Sequence, residues 1–156
     1  MAYTVGEMAR RLGVPASTIR YYDKEGLLPF VGRSSGGIRV FTEKDFEWLR
    51  IIECLKKTGM SLKDIREYIE LAMQGDETIA RRLELFCKQR TVLEARMAEL
   101  QQTMDTLDYK CWFYETAAAR GSTEGISDLP DEALPVALRP VRERLRTAAE
   151  AETEEV

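Results

Sequence analysis

From Ile79 to Ala118 the side chains at alternating steps of four and three residues are Ile79, Leu83, Phe86, Arg90, Leu93, Met97, Leu100, Met104, Leu107, Cys111, Tyr114 and Ala118. Arg90 is the lone charge in this series. A period of 3.5 sustained over so many turns describes one helix, about 60 Å long, with a continuous apolar seam. A single helix cannot bury such a seam against itself, so the chain is expected to pair with a second copy. The alternative, that the stripe packs on the chain's own N-terminal part, suits the pattern less, because that part is already closed by short loops.

Ahead of the seam the sequence reads as four short helices. Thr4 and Glu7 form a capping box, Val5, Met8, Ala9 and Leu12 line one face, and Gly13 ends the helix. Pro15 suits the first position of a second helix, with Ile19 and Tyr22 inward and Gly26 closing it. Two short helices joined by a tight turn predict a helix-turn-helix. The stretch PFVGRSSGG, residues 29–37, is rich in turn formers, and Ile38, Val40 and Phe41 follow as a brief strand, so a small β-wing carrying Arg33 and Arg39 is expected. Thr42 opens a third helix with Trp48, Ile51, Ile52 and Leu55 inward, stopped at Gly59. Ser61 opens a fourth with Ile65, Tyr68, Ile69 and Ala72 inward, stopped at Gly75. The expected architecture is all-α with a small β-wing: a winged helix-turn-helix over 1–75, a dimerisation helix over 76–120, and a short, partly flexible C-terminal tail over 121–156. That tail begins turn-rich and ends in a charged Ala/Glu/Arg tract to Val156 that suits a short helix with a frayed end.

Composition narrows the chemistry. The 156 residues contain no histidine, and the three cysteines, Cys54, Cys87 and Cys111, lack the spacing of a zinc site. With no phosphate-binding glycine loop and no paired nucleophile and base, neither an enzyme nor a bound cofactor or metal is expected. No stretch approaches a membrane span, so a cytoplasmic protein is expected. The charge is asymmetric: residues 1–42 hold six Lys/Arg against three Asp/Glu, whereas residues 43–156 hold 17 against 24. A basic head on an acidic body suits a polyanion, and a solvated surface explains it equally well.

The segment TIRYYDKEGLLP, residues 18–29, puts Arg20 and Tyr21 on the outer face of the second helix. A major groove admits a helix, an arginine there can bridge guanine or clamp a phosphate, and Ser17, Thr18 and Tyr21 can hydrogen-bond phosphate oxygens. A surface arginine beside packing tyrosines accounts for the same residues.

The order helix-turn-helix, TIRYYDKEGLLP, glycine-containing wing ending RVFTEKD, paired short helices and long helix resembles the MerR family of transcription regulators over residues 3 to about 118. The resemblance implies a winged-helix homodimer joined by an antiparallel coiled coil, bound to promoter DNA with an overlong spacer, which it distorts so that RNA polymerase meets both promoter elements. It places Ser17, Thr18, Arg20 and Tyr21 on the recognition helix and Arg33, Ser35 and Arg39 at the wing contacts, with Tyr22 mainly structural. Ile38 stands where many members have a tyrosine.

The family's metal and iron–sulfur sensors carry cysteines after the dimer helix, and this chain has none beyond Cys111. The run CLKKTGMSL from Cys54, with the later DYKCWFYE, resembles instead the AdhR/NmlR branch, whose members are linked to aldehyde or other thiol-reactive stress through one cysteine in this helix. Cys54 has Arg50 at i−4 and Lys57 at i+3, cations that suit a thiolate, while the helix C-terminus a turn further on opposes one. A small buried hydrophobe is the other reading of Cys54. Cys87 is expected to be an incidental thiol and Cys111 to pack in the seam. The dimerising residues are expected to be Leu83, Phe86, Leu93, Met97, Leu100, Met104, Leu107, Cys111 and Tyr114. Trp112, Phe113 and Tyr114 are expected to pin the helix end; a pocket for a non-covalent organic ligand there is the rival sensor reading. A coiled-coil scaffold without a specific DNA target is the rival function.

Overall fold

The computed structural model describes residues 2–154, with side chains to residue 148. In chain order the elements are α1 (Val5–Leu12), α2 (Ala16–Lys24), β1 (Gly32–Arg33), β2 (Arg39–Val40), α3 (Glu43–Lys57), α4 (Leu62–Gln74), α5 (Ile79–Arg120) and α6 (Arg139–Glu154). This is a mostly helical chain with one two-stranded wing and one long helix. It divides within α5 into two compact units, Met1–Leu93 and Glu94–Val156.

Local sequence sets the helix ends of the first unit. Thr4 and Thr42 close reciprocal capping boxes with Glu7 and Asp45, and the Ser61 hydroxyl accepts from the Asp64 amide. Each cap satisfies helix-end N–H groups that would otherwise lack partners. Gly13 adopts φ 74° after α1, a left-handed conformation that costs a residue with a Cβ far more than glycine. Two expected boundaries shift slightly. Pro15 is the N-cap of α2 rather than its first turn, and a single 3-10 turn, Asp76–Thr78, precedes α5. There the Thr78 hydroxyl donates to the carbonyls of Leu71 and Gly75, which ties the end of α4 to the start of the long helix.

The first unit closes around Met8, Ile19, Tyr22, Leu27, Phe41, Leu49, Ile52, Ile65 and Ile69, all essentially inaccessible to solvent. One expected inward residue is placed differently: Ile51 is exposed, and Leu49 fills the core in its stead. On a helix, positions 49 and 52 share a face that 51 leaves by a large angle. An aromatic chain, Phe30 on Trp48, Trp48 near Tyr68 and Tyr68 edge-on to Phe86, joins the loop after α2 to α3, α4 and the first turns of α5. Leu85 is buried in the same core, and the Gln89 amide donates to the Thr58 carbonyl at 2.8 Å. The N-terminal part of α5 is thereby rooted in its own head. Arg11 braces α1 against α3 by a bidentate pair with Glu43, 2.6 and 2.8 Å, while its guanidinium lies over the rings of Tyr3 and Phe46. That hydrogen-bonded pairing holds the Glu43 carboxyl below its usual range.

In the second unit α6 folds onto the last turns of α5. Tyr109, Leu134 and Val141 are buried together, with Trp112, Leu138 and Leu145 around them. Arg142, almost fully buried, pairs with Asp131 and donates to the Leu129 carbonyl at 2.6 Å. The Arg146 guanidinium donates to the Ser127 carbonyl, so the loop beneath α6 is held by backbone acceptors. The segment expected as a partly flexible tail therefore contains a packed helix; the fraying expected at Val156 lies outside the described residues. Tyr109 and Trp112 lie on the side of α5 opposite the seam. Most of the seam is bare, but Phe86, expected among the dimerising residues, packs edge-on to Tyr68 in its own head because it faces that core, and Leu93 is half-buried. Leu83, Met97, Leu100, Met104, Leu107 and Tyr114 are each more than half exposed.

Candidate nucleic-acid interface

Ser17, Arg20, Tyr21 and Lys24 follow one another at helical spacing along α2 and are all exposed. Ile19 and Tyr22 occupy the buried side, which fixes the rotation of the helix and aims the polar row outward. Thr18 is half-buried beside that row. Lys24 extends the row beyond the residues expected from the sequence, and its spacing from Tyr21 and Arg20 is the signal that marks it.

Tyr22 is fully buried, yet its hydroxyl is not idle. It donates to the Glu53 carboxylate and accepts from Lys56 Nζ at 2.5 Å. Burial, reinforced by that carboxylate, pushes the Tyr22 hydroxyl well above the ordinary tyrosine range, so it stays protonated as a donor. The network ties α2 to α3. This matches the structural role the resemblance implies for Tyr22.

The wing is a minimal antiparallel ladder, Gly32 opposite Val40 and Arg33 opposite Arg39. Its tip is turned by the Gly37 amide donating to the Ser34 carbonyl at 2.9 Å, with Gly37 at φ 77°. Phe41 then pairs with Tyr3, which anchors the wing's base to the start of the chain. Arg33 and Ser35 are exposed, as a contact surface requires. Arg39 is placed otherwise: its side chain is 21% exposed, donates to the Val31 carbonyl at 2.6 Å and pairs with Asp23 at the end of α2. Arg33 approaches the other oxygen of the same carboxylate at 3.5 Å. The structure therefore brings Arg33, Arg39 and the end of α2 together through Asp23, a residue the sequence does not single out.

Cys54 is exposed on α3 and shares a shallow, mainly apolar recess with Glu47, Arg50, Ile51 and Leu55. Cys87 and Cys111 are exposed as well. Among the described residues no group of His, Cys, Asp and Glu is arranged to hold a metal ion, and no helix is long and apolar enough to cross a membrane.

Residues 3–72 match the family model for MerR HTH family regulatory proteins, and residues 46–109 match the model described as MerR, DNA binding. An HTH-type transcriptional regulator of Haemophilus influenzae is 48% identical over 81% of this chain and 94% of its own length. The chain belongs to the MerR family. Within it, the AdhR regulator of Bacillus subtilis is 35% identical over 55% of the chain and 61% of its own length. The crystal structure of HiNmlR, described as a MerR family regulator lacking the sensor domain and bound to promoter DNA, is 49% identical, covering 80% of this chain and 99% of that one with a TM-score of 0.64. This chain is thus a MerR-type DNA-binding transcriptional regulator, not an enzyme, and it falls with the AdhR and NmlR-like members.

Proposed function

We propose that this regulator reads promoter DNA with α2 and the wing as a homodimer, and that it alters transcription when a thiol-reactive aldehyde, electrophile or oxidant modifies Cys54. On the DNA side, Arg20 and Tyr21 enter the major groove, Ser17, Thr18 and Lys24 meet phosphates, and Arg33 and Ser35 reach the backbone beside it. Arg39 supports this surface from its half-buried position. The functional division follows: residues 1–75 bind DNA, 76–120 dimerise through the exposed part of the seam, and 121–148 cap the far side of the helix end. Two heads fixed to one coiled coil can hold the duplex bent or untwisted, at a cost of the order of 1–6 kcal/mol offset by phosphate contacts, and so present the promoter to RNA polymerase in a changed geometry.

The observation that carries the sensor reading is the recess at Cys54, which sets the thiol beside Arg50 and an exposed apolar wall on the helix that also holds Glu53 and Lys56 against Tyr22. The resemblance of the CLKKTGMSL run, beginning at Cys54, to the AdhR/NmlR branch supports a thiol-reactive signal. The attacking species is a thiolate, which adds to an aldehyde carbon while the carbonyl oxygen takes a proton from water, giving a hemithioacetal. The new group enlarges and polarises the face of α3, and the residues that hold Tyr22, Glu53 and Lys56, are its immediate sequence neighbours on the same turn.

A promoter reporter carrying Cys54→Ser, Cys87→Ser or Cys111→Ser, each exposed to formaldehyde, a nitrosothiol and a quinone, tests this. Loss of induction in Cys54→Ser alone, with DNA binding retained, is the expected result. Full induction in that variant overturns the thiol sensor.

A further inference from the structure

We infer that Asp23 is the positioning residue of the DNA-binding surface: its carboxylate latches the wing to the end of the recognition helix, so that the two meet DNA as one rigid body. The inference rests on the proposed placement of α2 and the wing against DNA.

A two-residue ladder is too short to hold its own angle. Residues 32–38 are all exposed, Ile38 among them, so no apolar contact from the wing's outer half fixes it either. The ladder also has an internal fault. Arg33 and Arg39 are directly opposite, and like charges across an antiparallel pair destabilise it. Asp23 resolves this, since one carboxylate oxygen pairs with Arg39 and the other faces Arg33 Nη2 at 3.5 Å. Arg39 then carries the tie onward to the Val31 carbonyl at the wing's entry. With side-chain exposures of 23% and 21%, Asp23 and Arg39 are shielded enough for the pair to act as a constraint rather than a solvated surface contact.

The arrangement has a cost that makes the role testable. Asp23 lies three residues from Arg20, on a surface that must approach phosphates, where a carboxylate opposes binding by simple charge repulsion. Removing the charge while keeping the shape therefore has opposite consequences under the two accounts. Electrostatics alone makes Asp23→Asn bind every duplex more tightly. A latch makes it lose its preferred duplex, because the wing must then be ordered at the moment of binding.

The experiment compares the full-length parent, Asp23→Asn, Asp23→Glu and Arg20→Ala on two duplexes, one selected by the parent from a random pool and one of scrambled sequence, with amide hydrogen exchange followed across residues 32–40. The latch predicts that Asp23→Asn loses about tenfold or more on the selected duplex. It also predicts unchanged or tighter binding to the scrambled one, faster exchange in the wing at an unaltered melting temperature, and partial rescue by Asp23→Glu. Asp23→Asn matching or exceeding the parent on the selected duplex overturns the latch, as does unchanged wing exchange. If Arg20→Ala is weakened while Asp23→Asn is not, the DNA face stands and the latch falls. If both bind like the parent, the face itself is wrong and the latch falls with it.

Discussion

Replacing Leu100 and Leu107 together with glutamate should convert the protein to monomers in sedimentation while leaving each chain's helical content intact. Both residues lie on the bare seam, 64% and 56% exposed in the single chain, so neither change touches the core of a protomer. In a pair related by twofold symmetry four leucines leave the interface. At about 1.5–3 kcal/mol for each apolar side chain that is about 6–12 kcal/mol of association free energy, before the repulsion of four buried carboxylates is added. Losses of that size exceed what most helical dimers hold in reserve at micromolar concentration. A double variant that sediments as a dimer would move the interface elsewhere, and the face of α5 covered by α6 would be the next to examine.

Leu49→Ala is expected to destabilise the head by about 2–5 kcal/mol, because a fully buried leucine leaves a cavity its neighbours cannot fill. Ile51→Ala, two residues away and exposed, should shift stability by far less in a seam-disrupted monomer. Chemical denaturation of both variants separates them, and equal losses would contradict the placement of the α3 faces. Leu49 and Ile51 also show why the sequence misleads here. Leu49, Ile51 and Ile52 are all apolar and Leu55 packs at the edge of the core, so only the packing of α1, α2 and α4 decides that Leu49 rather than Ile51 turns inward.

Elsewhere the fold was legible for physical reasons that are local. Thr4, Thr42 and Ser61 cap because their hydroxyls reach the amide three residues on, and Gly13 and Gly37 turn because no Cβ obstructs a positive φ; none of these needs knowledge of the rest of the chain. The seam was legible because a 3.5 period over many turns has few other uses. The contacts that escaped are those between distant residues. Asp23 meets Arg39 across 16 positions, and nothing near either one announces the pairing. The tail escaped for a related reason. Val141 and Leu145 are too few to mark α6 as a packed helix, and their partners Tyr109 and Trp112 lie off the seam that dominates α5. On the proposed DNA face the polar row of α2 is visible in its spacing, whereas Arg39 looks like its wing neighbours and only burial distinguishes it.

Arg20 is the exposed guanidinium at the centre of the proposed DNA face. The measurement is a fluorescence-anisotropy titration of Arg20→Ala and the parent against the selected duplex at several salt concentrations. If Arg20 reads a base, the variant loses about 1–3 kcal/mol per half-site and discriminates less against the scrambled duplex; if it clamps a phosphate, the loss is uniform and the salt slope falls by about one per half-site. Either result places α2 on the DNA. Affinity, salt slope and discrimination all equal to the parent would contradict the account, because a recognition helix cannot shed its central cation unnoticed.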